Sequence, residues 1–243
     1  MASIYEAIDL AQSQIEKMHD IQIGENAKNH LITDKSLPRL EKFIPGIIER
    51  LSNCLGCVIL NQNKFTGDLL PMIYFKPEVL NQFNEAEEVT PHDAWITVFE
   101  EVSHFCHGFS YHQKFGTQPN GAMTEMIAAI DEYIMLRLAF ARNGNDSQRN
   151  RDRLDHDCFS NSLTAKLDHT IGYSLAREYI YQLDFNAIVP PHYLGLTPYR
   201  EFFHLDSKSQ FKHCVDKMNI RIDFGVRKGE VSQYILEQFG IQY

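Results

Sequence analysis

Hydrophobic residues recur every three or four positions in several stretches of the chain, which is the spacing of a helix with one buried face. The first stretch carries Ile4, Ile8, Ala11, Ile15 and Met18. Polar residues separate these stretches, and residues 143–153 have the composition of a surface loop or a fraying helix. The pattern predicts helices over 4–19, 37–51 with a kink at Pro45, about 91–113, 123–143, 163–183, 206–219 and 231–239.

Two short runs of β-type residues stand before the central helix of residues 91–113. They are Val58 to Leu60 and Met72 to Phe75, and the sequence between them contains Asn and Gly. Such runs predict a small hairpin or two edge strands, with Pro77 ending the second. The expected fold is therefore α+β and predominantly helical, with a small sheet preceding the central helix. Residues 1–243 form one predicted domain, since no internal repeat or linker is visible.

Composition narrows the classes of function. The chain has 243 residues, a formal charge of −9 and a pI of about 5.6, so general binding to nucleic acid or to anionic membranes is not expected. No run reaches transmembrane length, and the first residues include acids and no apolar leader. The 5 cysteines are an odd number, which favours a reducing, cytoplasmic setting. Export without a cleavable signal remains an alternative.

The polar side of the central helix gathers acids and imidazoles. Glu100, Glu101, His104 and His107 lie opposite an apolar stripe, and Glu100 and His104 are four residues apart, hence neighbours. No Lys or Arg occurs between residues 93 and 113, so the carboxylates have no local cationic partner. This grouping favours a metal site. The alternative is an ordinary solvated helix face. The apolar stripe consists of Trp95, Val98, Phe99, Val102, Phe105 and Cys106.

The next helix, 123–143, supplies a further acid. It is apolar nearly all round, which predicts burial, and a buried acid requires a partner. Glu125 shares a face with small residues and with Glu132, so we expect Glu125 to point at the central helix. Asp131 falls on a different face and reads as a structural acid.

Convergence of Glu100, Glu101, His104 and Glu125 would bring three carboxylates together, which raises their pKa values unless a cation binds among them. Imidazole nitrogen and carboxylate oxygen suit zinc, iron or manganese, with zinc favoured. The predicted ligands are Glu100, His104 and Glu125, with His107 as a substitute. Three protein ligands leave one coordination position for water, as catalytic sites do, and a neighbouring carboxylate can accept its proton.

Two further groups carry chemistry. His169, Tyr173 and Arg177 recur at intervals of four in the helix of residues 163–183 and suit an anion or oxyanion, or else form an ordinary helix surface. Cys54 and Cys57 form a Cys-x-x-Cys sequence, which is typical of a redox pair or half of a zinc site. The simpler alternative is two small apolar residues leading into a strand.

The stretch Glu100-Glu101-Val-Ser-His104 resembles the His-Glu-x-x-His sequence of zincin metallopeptidases, with Glu in place of the first His. In the gluzincin branch, a Glu from a later helix is the third ligand, and Glu125 is similarly placed. The resemblance implies a zincin-like core, Glu101 as general base and a peptide or small-molecule substrate. It also implies that His169 or Tyr173 stabilises the transition state.

The Glu that replaces His makes the site more negative and its metal a weaker Lewis acid, so other readings stay open. One is activity with another metal, and a second is a catalytically silent relative that binds a protein partner. A third uses Glu101-x-x-His104 as one pair of a carboxylate-bridged di-metal helical protein, with Glu125 and Glu132 as extra acids. Strands do not belong in such a bundle.

Overall fold

The computed structural model describes residues 3–52, 54–62, 66–84, 92–144, 147–159, 166–183, 197–221 and 224–242. The fold is α+β and predominantly helical with a small sheet, which confirms the expected class. None of the helices within these ranges is both long enough and apolar enough to cross a bilayer. The helices are α1 (Ile4–His19), α2 (Leu37–Leu40), α3 (Ile47–Ser52), α4 (Pro77–Asn84), α5 (His92–Phe115), α6 (Gly121–Arg142), α7 (Gln148–Phe159), α8 (Leu167–Gln182), α9 (Thr197–Phe203), α10 (Ser207–Lys212) and α11 (Lys228–Phe239).

Within the described residues, three strands form a sheet in the order β1-β3-β2. The strands β2 (Gly56–Gln62) and β3 (Leu69–Phe75) pair antiparallel, as the predicted hairpin requires. The sequence pattern did not indicate β1 (Leu31–Ile32), which pairs parallel with β3 on its other side. A two-residue strand is too short to show an alternating pattern. Because β3 is central, β2 is an edge strand and keeps one side of its backbone unpaired by the sheet.

Several helix boundaries differ from the prediction, and in two cases proline or glycine gives the reason. The single helix expected over residues 37–51 is two short helices, since Pro45 is followed by Gly46 at a φ of 81°. Pro77 ends β3 but also begins α4, because proline is tolerated in a first helical turn. The stretch 143–153, expected to be a surface loop or a fraying helix, leads into the helix α7 (Gln148–Phe159). Of the helix predicted over residues 163–183, residues 163–165 lie outside the described ranges, and the helix α8 begins at Leu167.

The core is built around α6, which packs between α5 and α8. Fifteen consecutive or nearly consecutive residues of α6 are buried, as its apolar composition predicted. On α5, the apolar side chains Val98, Val102, Phe105 and Cys106 are fully buried, and the helix also contacts α1 and β2. This arrangement fixes the polar positions of α5 between the edge strand and the early turns of α6.

Candidate metal centre

The structure brings three of the predicted ligands together. Single donor atoms of Glu100, His104 and Glu125 all lie within 4.8 Å of one another. The distance from His104 Nε2 to the nearer Glu125 carboxylate oxygen, Oε2, is 3.8 Å. The side chains of His104 and Glu125 are 13% and 16% exposed, so the group is screened from bulk water but open to a ligand.

This grouping follows from local helix geometry and one tertiary contact. Glu100 and His104 are one turn apart on α5 and therefore face the same direction. Asn120 caps α6 by accepting hydrogen bonds from the backbone N–H groups of Ala122 and Met123, which fixes where α6 starts. Glu125 lies in the second turn from that start, opposite His104. The prediction that Glu125 faces the central helix agrees with this geometry.

The helix α8 supplies contacts to both ends of the group. The Tyr173 hydroxyl donates a hydrogen bond of 3.0 Å to Glu100 Oε1. His169 Nε2 lies 3.4 Å from Glu125 Oε1, and the His169 side chain is 40% exposed. Arg177, which the same helix spacing singled out, instead donates to the Tyr181 hydroxyl at an exposed position. The structure thus brings two members of the predicted stripe to the site.

A cleft of about 940 Å³ gives access to these side chains. Its walls are β2, the polar side of α5, the early turns of α6 and the beginning of α8, and Glu100, Glu101, His104, Glu125 and His169 all line it. Tyr173 is not among the lining residues. It therefore supports Glu100 from behind, and His169 is the member of the α8 pair that faces the open space.

Burial and mutual repulsion raise the pKa values of the acids. Burial is the main cause for Glu100, and the neighbouring Glu125 carboxylate adds to it, while His104 and Tyr173 act in the opposite direction. The pKa of Glu125 is also raised, chiefly by burial, although His169 opposes the shift. Burial lowers the pKa of His104 and so favours its neutral, ligating form. A cation among these side chains would offset the repulsion.

Glu101 lies beside the group but faces the edge strand. Its side chain is buried, and the backbone of Val58 in β2 partly opposes the effect of that burial on its pKa. The strand approaches closely because Gly56 lacks a side chain: a Cβ there would lie 2.6 Å from Glu101 Cγ. Burial, followed by the charges of Glu100 and Glu125, raises the pKa of Glu101 well above its ordinary value.

His107, the predicted substitute ligand, does not join the group. It lies seven residues beyond Glu100, about 10 Å along the helix axis. The ring is buried beside Tyr111 and Phe203, with ring centroids 5.9 and 5.3 Å away. Helical spacing predicts that His107 lies on the same side of α5 as Glu100, but α9 covers that part of α5. The residues that cover a helix face cannot be read from its own sequence.

Two further buried acids, Asp131 and Glu132, lie outside the group of three ligand candidates. Asp131 accepts hydrogen bonds from Ser103 Oγ at 2.5 Å and the Tyr199 hydroxyl at 2.8 Å, and its Oδ1 lies 2.8 Å from His19 Nε2. These contacts fit the structural role predicted for it. Glu132 is buried next to Glu100, and burial raises its pKa well above the ordinary value.

Sequence reasoning missed two further Glu-x-x-His pairs: Glu16 with His19, and Glu201 with His204, of which the second pair is exposed. In α1, His19 contacts Asp131, whereas Glu16 accepts hydrogen bonds from the Gln12 amide and the Ile23 N–H. The two members of the first pair therefore serve different contacts. Among the described residues, Glu100, His104 and Glu125 form the only cluster of three or more potential ligand side chains whose donor atoms are close enough together to hold a metal ion.

The donor set of this group fits a divalent transition metal. One imidazole and two carboxylates are ligand types that zinc, iron and manganese accept. A bound cation would lower the raised pKa values of the acids, and the partial exposure of the group on the cleft side gives an ion access to it. His104 Nδ1 is buried and has no hydrogen-bond partner in the described ranges, so Nε2, which faces Glu125, is the donor nitrogen assigned to the group.

Comparison of the chain with protein-family models, with curated proteins and with solved structures found no match. The chemistry assigned to the site therefore rests on its own residues and their arrangement.

Proposed function

We propose that this protein is a metal-dependent hydrolase that cleaves peptide bonds. The observation that carries the proposal is the convergence of Glu100, His104 and Glu125 in a cleft, with Glu101 on the adjacent helix position. The order of the donors along the chain is the one that the resemblance to zincins implies. Zinc is the favoured ion, and iron and manganese are the alternatives.

Each protein group then has a distinct task. Glu100, His104 and Glu125 would hold the ion, which supplies an acidified water and polarises the substrate carbonyl when bound. Glu101 accepts the proton from the attacking water and later delivers it to the leaving nitrogen. His169 faces the cleft and donates to the oxygen on which negative charge develops. Tyr173 orients Glu100 through its hydrogen bond.

The edge strand supports a peptide as the substrate class. An unpaired strand edge binds an extended chain through backbone hydrogen bonds. One backbone group at this edge already binds a side chain, because the Leu60 carbonyl accepts a hydrogen bond from the Gln118 amide at 2.5 Å, and a bound peptide would replace that contact. The same edge lines the cleft, so a bound peptide would run past Glu101 and the three ligand candidates.

Metal content is the first test. Purified protein should retain about one zinc, iron or manganese ion per chain, measured by elemental mass spectrometry after reconstitution. His104→Ala and Glu125→Ala should each lose it, because each removes one of three donors. Exposed residues away from the cleft provide the matched controls, His204→Ala and Glu237→Ala, which should bind as the parent does. Absence of metal, or equal binding by all five proteins, would refute the site.

Hydrolysis of a fluorogenic peptide library tests the reaction. Glu101→Gln preserves the shape of the side chain and removes the proton acceptor, so activity should fall by roughly 10² to 10⁴ while metal content stays unchanged. Metal binding without hydrolysis of any peptide in the parent protein would contradict the enzymatic proposal and favour the catalytically silent alternative. Full activity in Glu101→Gln would contradict the assigned base.

A further inference from the structure

The Cys54 and Cys57 thiols meet at the wall of the cleft. Cys54 stands between α3 and β2, and Cys57 is the second residue of β2. The Cys54 thiol lies 3.4 Å from the Leu51 carbonyl oxygen and the Cys57 thiol lies 3.7 Å from the Val58 carbonyl oxygen, and both side chains line the open space. Both are partly exposed, whereas the other three cysteines, Cys106, Cys158 and Cys214, are buried.

The two thiols differ in their surroundings. The neighbouring Cys57 thiol is the main reason that the pKa of Cys54 falls to about 7, with Lys76 and Arg50 acting in the same direction. The neighbouring Cys54 thiol, together with burial and the nearby Glu101 carboxylate, raises the pKa of Cys57. Cys54 is therefore the thiol that attacks first, and Cys57 is the thiol that attacks in the second step.

We propose that Cys54 and Cys57 are a reversible redox pair that low-molecular-weight disulfides, such as oxidised glutathione, convert to an intramolecular disulfide. The Cys54 thiolate attacks one sulfur of the oxidant, forms a mixed disulfide and releases one thiolate. Cys57 then loses its proton and attacks Cys54 Sγ, and the second thiolate leaves. Two protein thiols are oxidised, and one disulfide is reduced to two thiols. The exchange requires no metal and does not depend on the proposed hydrolase activity.

Incubation in glutathione buffers of graded ratio tests the pair. After quenching by acid and alkylation, peptide mass spectrometry of the parent protein should show a disulfide linking Cys54 to Cys57, with the loss of two hydrogen atoms and full reversal by dithiothreitol. Cys57→Ser should instead accumulate a glutathione adduct at Cys54. Cys54→Ser should remain largely unmodified, since the more reactive thiol is gone. Cys106, Cys158 and Cys214 serve as internal controls that stay reduced in every sample.

Alkylation of the folded protein gives a second readout that needs no disulfide. The rate of Cys54 modification by iodoacetamide should rise with pH around a midpoint of about 7. In Cys57→Ser the midpoint should shift upward by a measurable fraction of a pH unit, because a hydroxyl replaces the neighbouring thiol. Failure to form the Cys54–Cys57 disulfide, or preferential oxidation of a buried cysteine, would overturn the proposal.

Discussion

Burial is the main influence on the charge state of His107. Burial is the main reason that its pKa falls to about 3, and the neighbouring imidazoles of His19 and His104 add to the shift. Neither ring nitrogen has a hydrogen-bond partner within the described part of the chain. The His107 side chain therefore acts as a neutral aromatic ring in the native state, whereas the neutral His104 ring lies beside carboxylates that can share a cation with it.

His107→Phe should flatten the pH dependence of stability. The folded pKa is depressed, so the unfolded chain gains a proton below about pH 6.5 that the folded protein refuses until about pH 3. The parent protein should lose about 2 kcal/mol of unfolding free energy between pH 7 and pH 5 that the variant keeps. Urea unfolding at both pH values measures the difference. If the free energy of unfolding depended on pH in the same way in both proteins, the folded protein would protonate His107 at the same pH as the unfolded chain does.

At the residue scale, helical spacing predicts which side chains share a face of a helix, but it does not predict what each side chain contacts. Glu100 and His104 are one turn apart, and any helix places such a pair on one face. Glu125 required a stronger argument, from the cost of burying an acid without a partner. Tyr173 was singled out for contact with substrate, but its hydroxyl binds Glu100 and lies away from the cleft. The sequence indicated which side chains belong to the site. Only the structure shows that Tyr173 contacts a ligand candidate and does not face the cleft.

At the scale of elements, the approach of α8 to α6 holds the candidate centre together. A Cβ on Gly172 would lie 2.6 Å from Glu125 Cβ and 2.7 Å from the Ala122 carbonyl oxygen. The small residues of α6 had predicted that another helix could approach closely. Glycine on α8 completes that approach, and it brings His169 and Tyr173 within reach of the acids.

Gly172→Ala should destabilise the protein and weaken the candidate site together. The added methyl group meets backbone atoms of α6, so α8 must move, at a cost of about 1–3 kcal/mol. The displacement also reaches Glu125, so metal affinity should fall. Gly229→Ala in α11 is the matched control, because nothing lies within 4 Å of its Cβ position, and alanine there should be neutral or slightly stabilising. Urea unfolding and metal titration of both variants provide the comparison. Equal effects would contradict the close packing.

At the scale of the whole molecule, Asp131 connects elements that are far apart in sequence. Its carboxylate contacts His19 of α1, Ser103 of α5 and Tyr199 of α9. All four side chains are buried. A buried carboxylate with several hydrogen-bond partners fixes the positions of those partners, since each would lose its partner if the helices moved apart.

Asp131→Ala should cost about 3 kcal/mol or more, because three buried polar groups lose their shared partner. Ser103→Ala, which removes only one of the three contacts, should cost about 1 kcal/mol. Chemical unfolding of both variants at neutral pH gives the comparison. A cost for Asp131→Ala no larger than that for Ser103→Ala would mean that the other two contacts contribute little.

Local physics allowed the sequence alone to predict the helical class, the two longer strands, the long helices and the shared face of Glu100 and His104. Helical and alternating periodicity reflect the backbone of each element and the side on which it is buried. Short elements such as β1 and α4 escaped prediction, because two to eight residues hold too little of a period.

Tertiary structure decided everything that depends on which element covers which. It brought Glu125 to His104, turned Glu101 toward β2, enclosed His107 behind α9 and set Cys54 against Cys57. The physical reason is that these contacts join residues from separate elements, whose relative positions follow from the packing of the whole core. Spacing along one helix determines the direction of a side chain, and only the neighbouring elements determine what it meets.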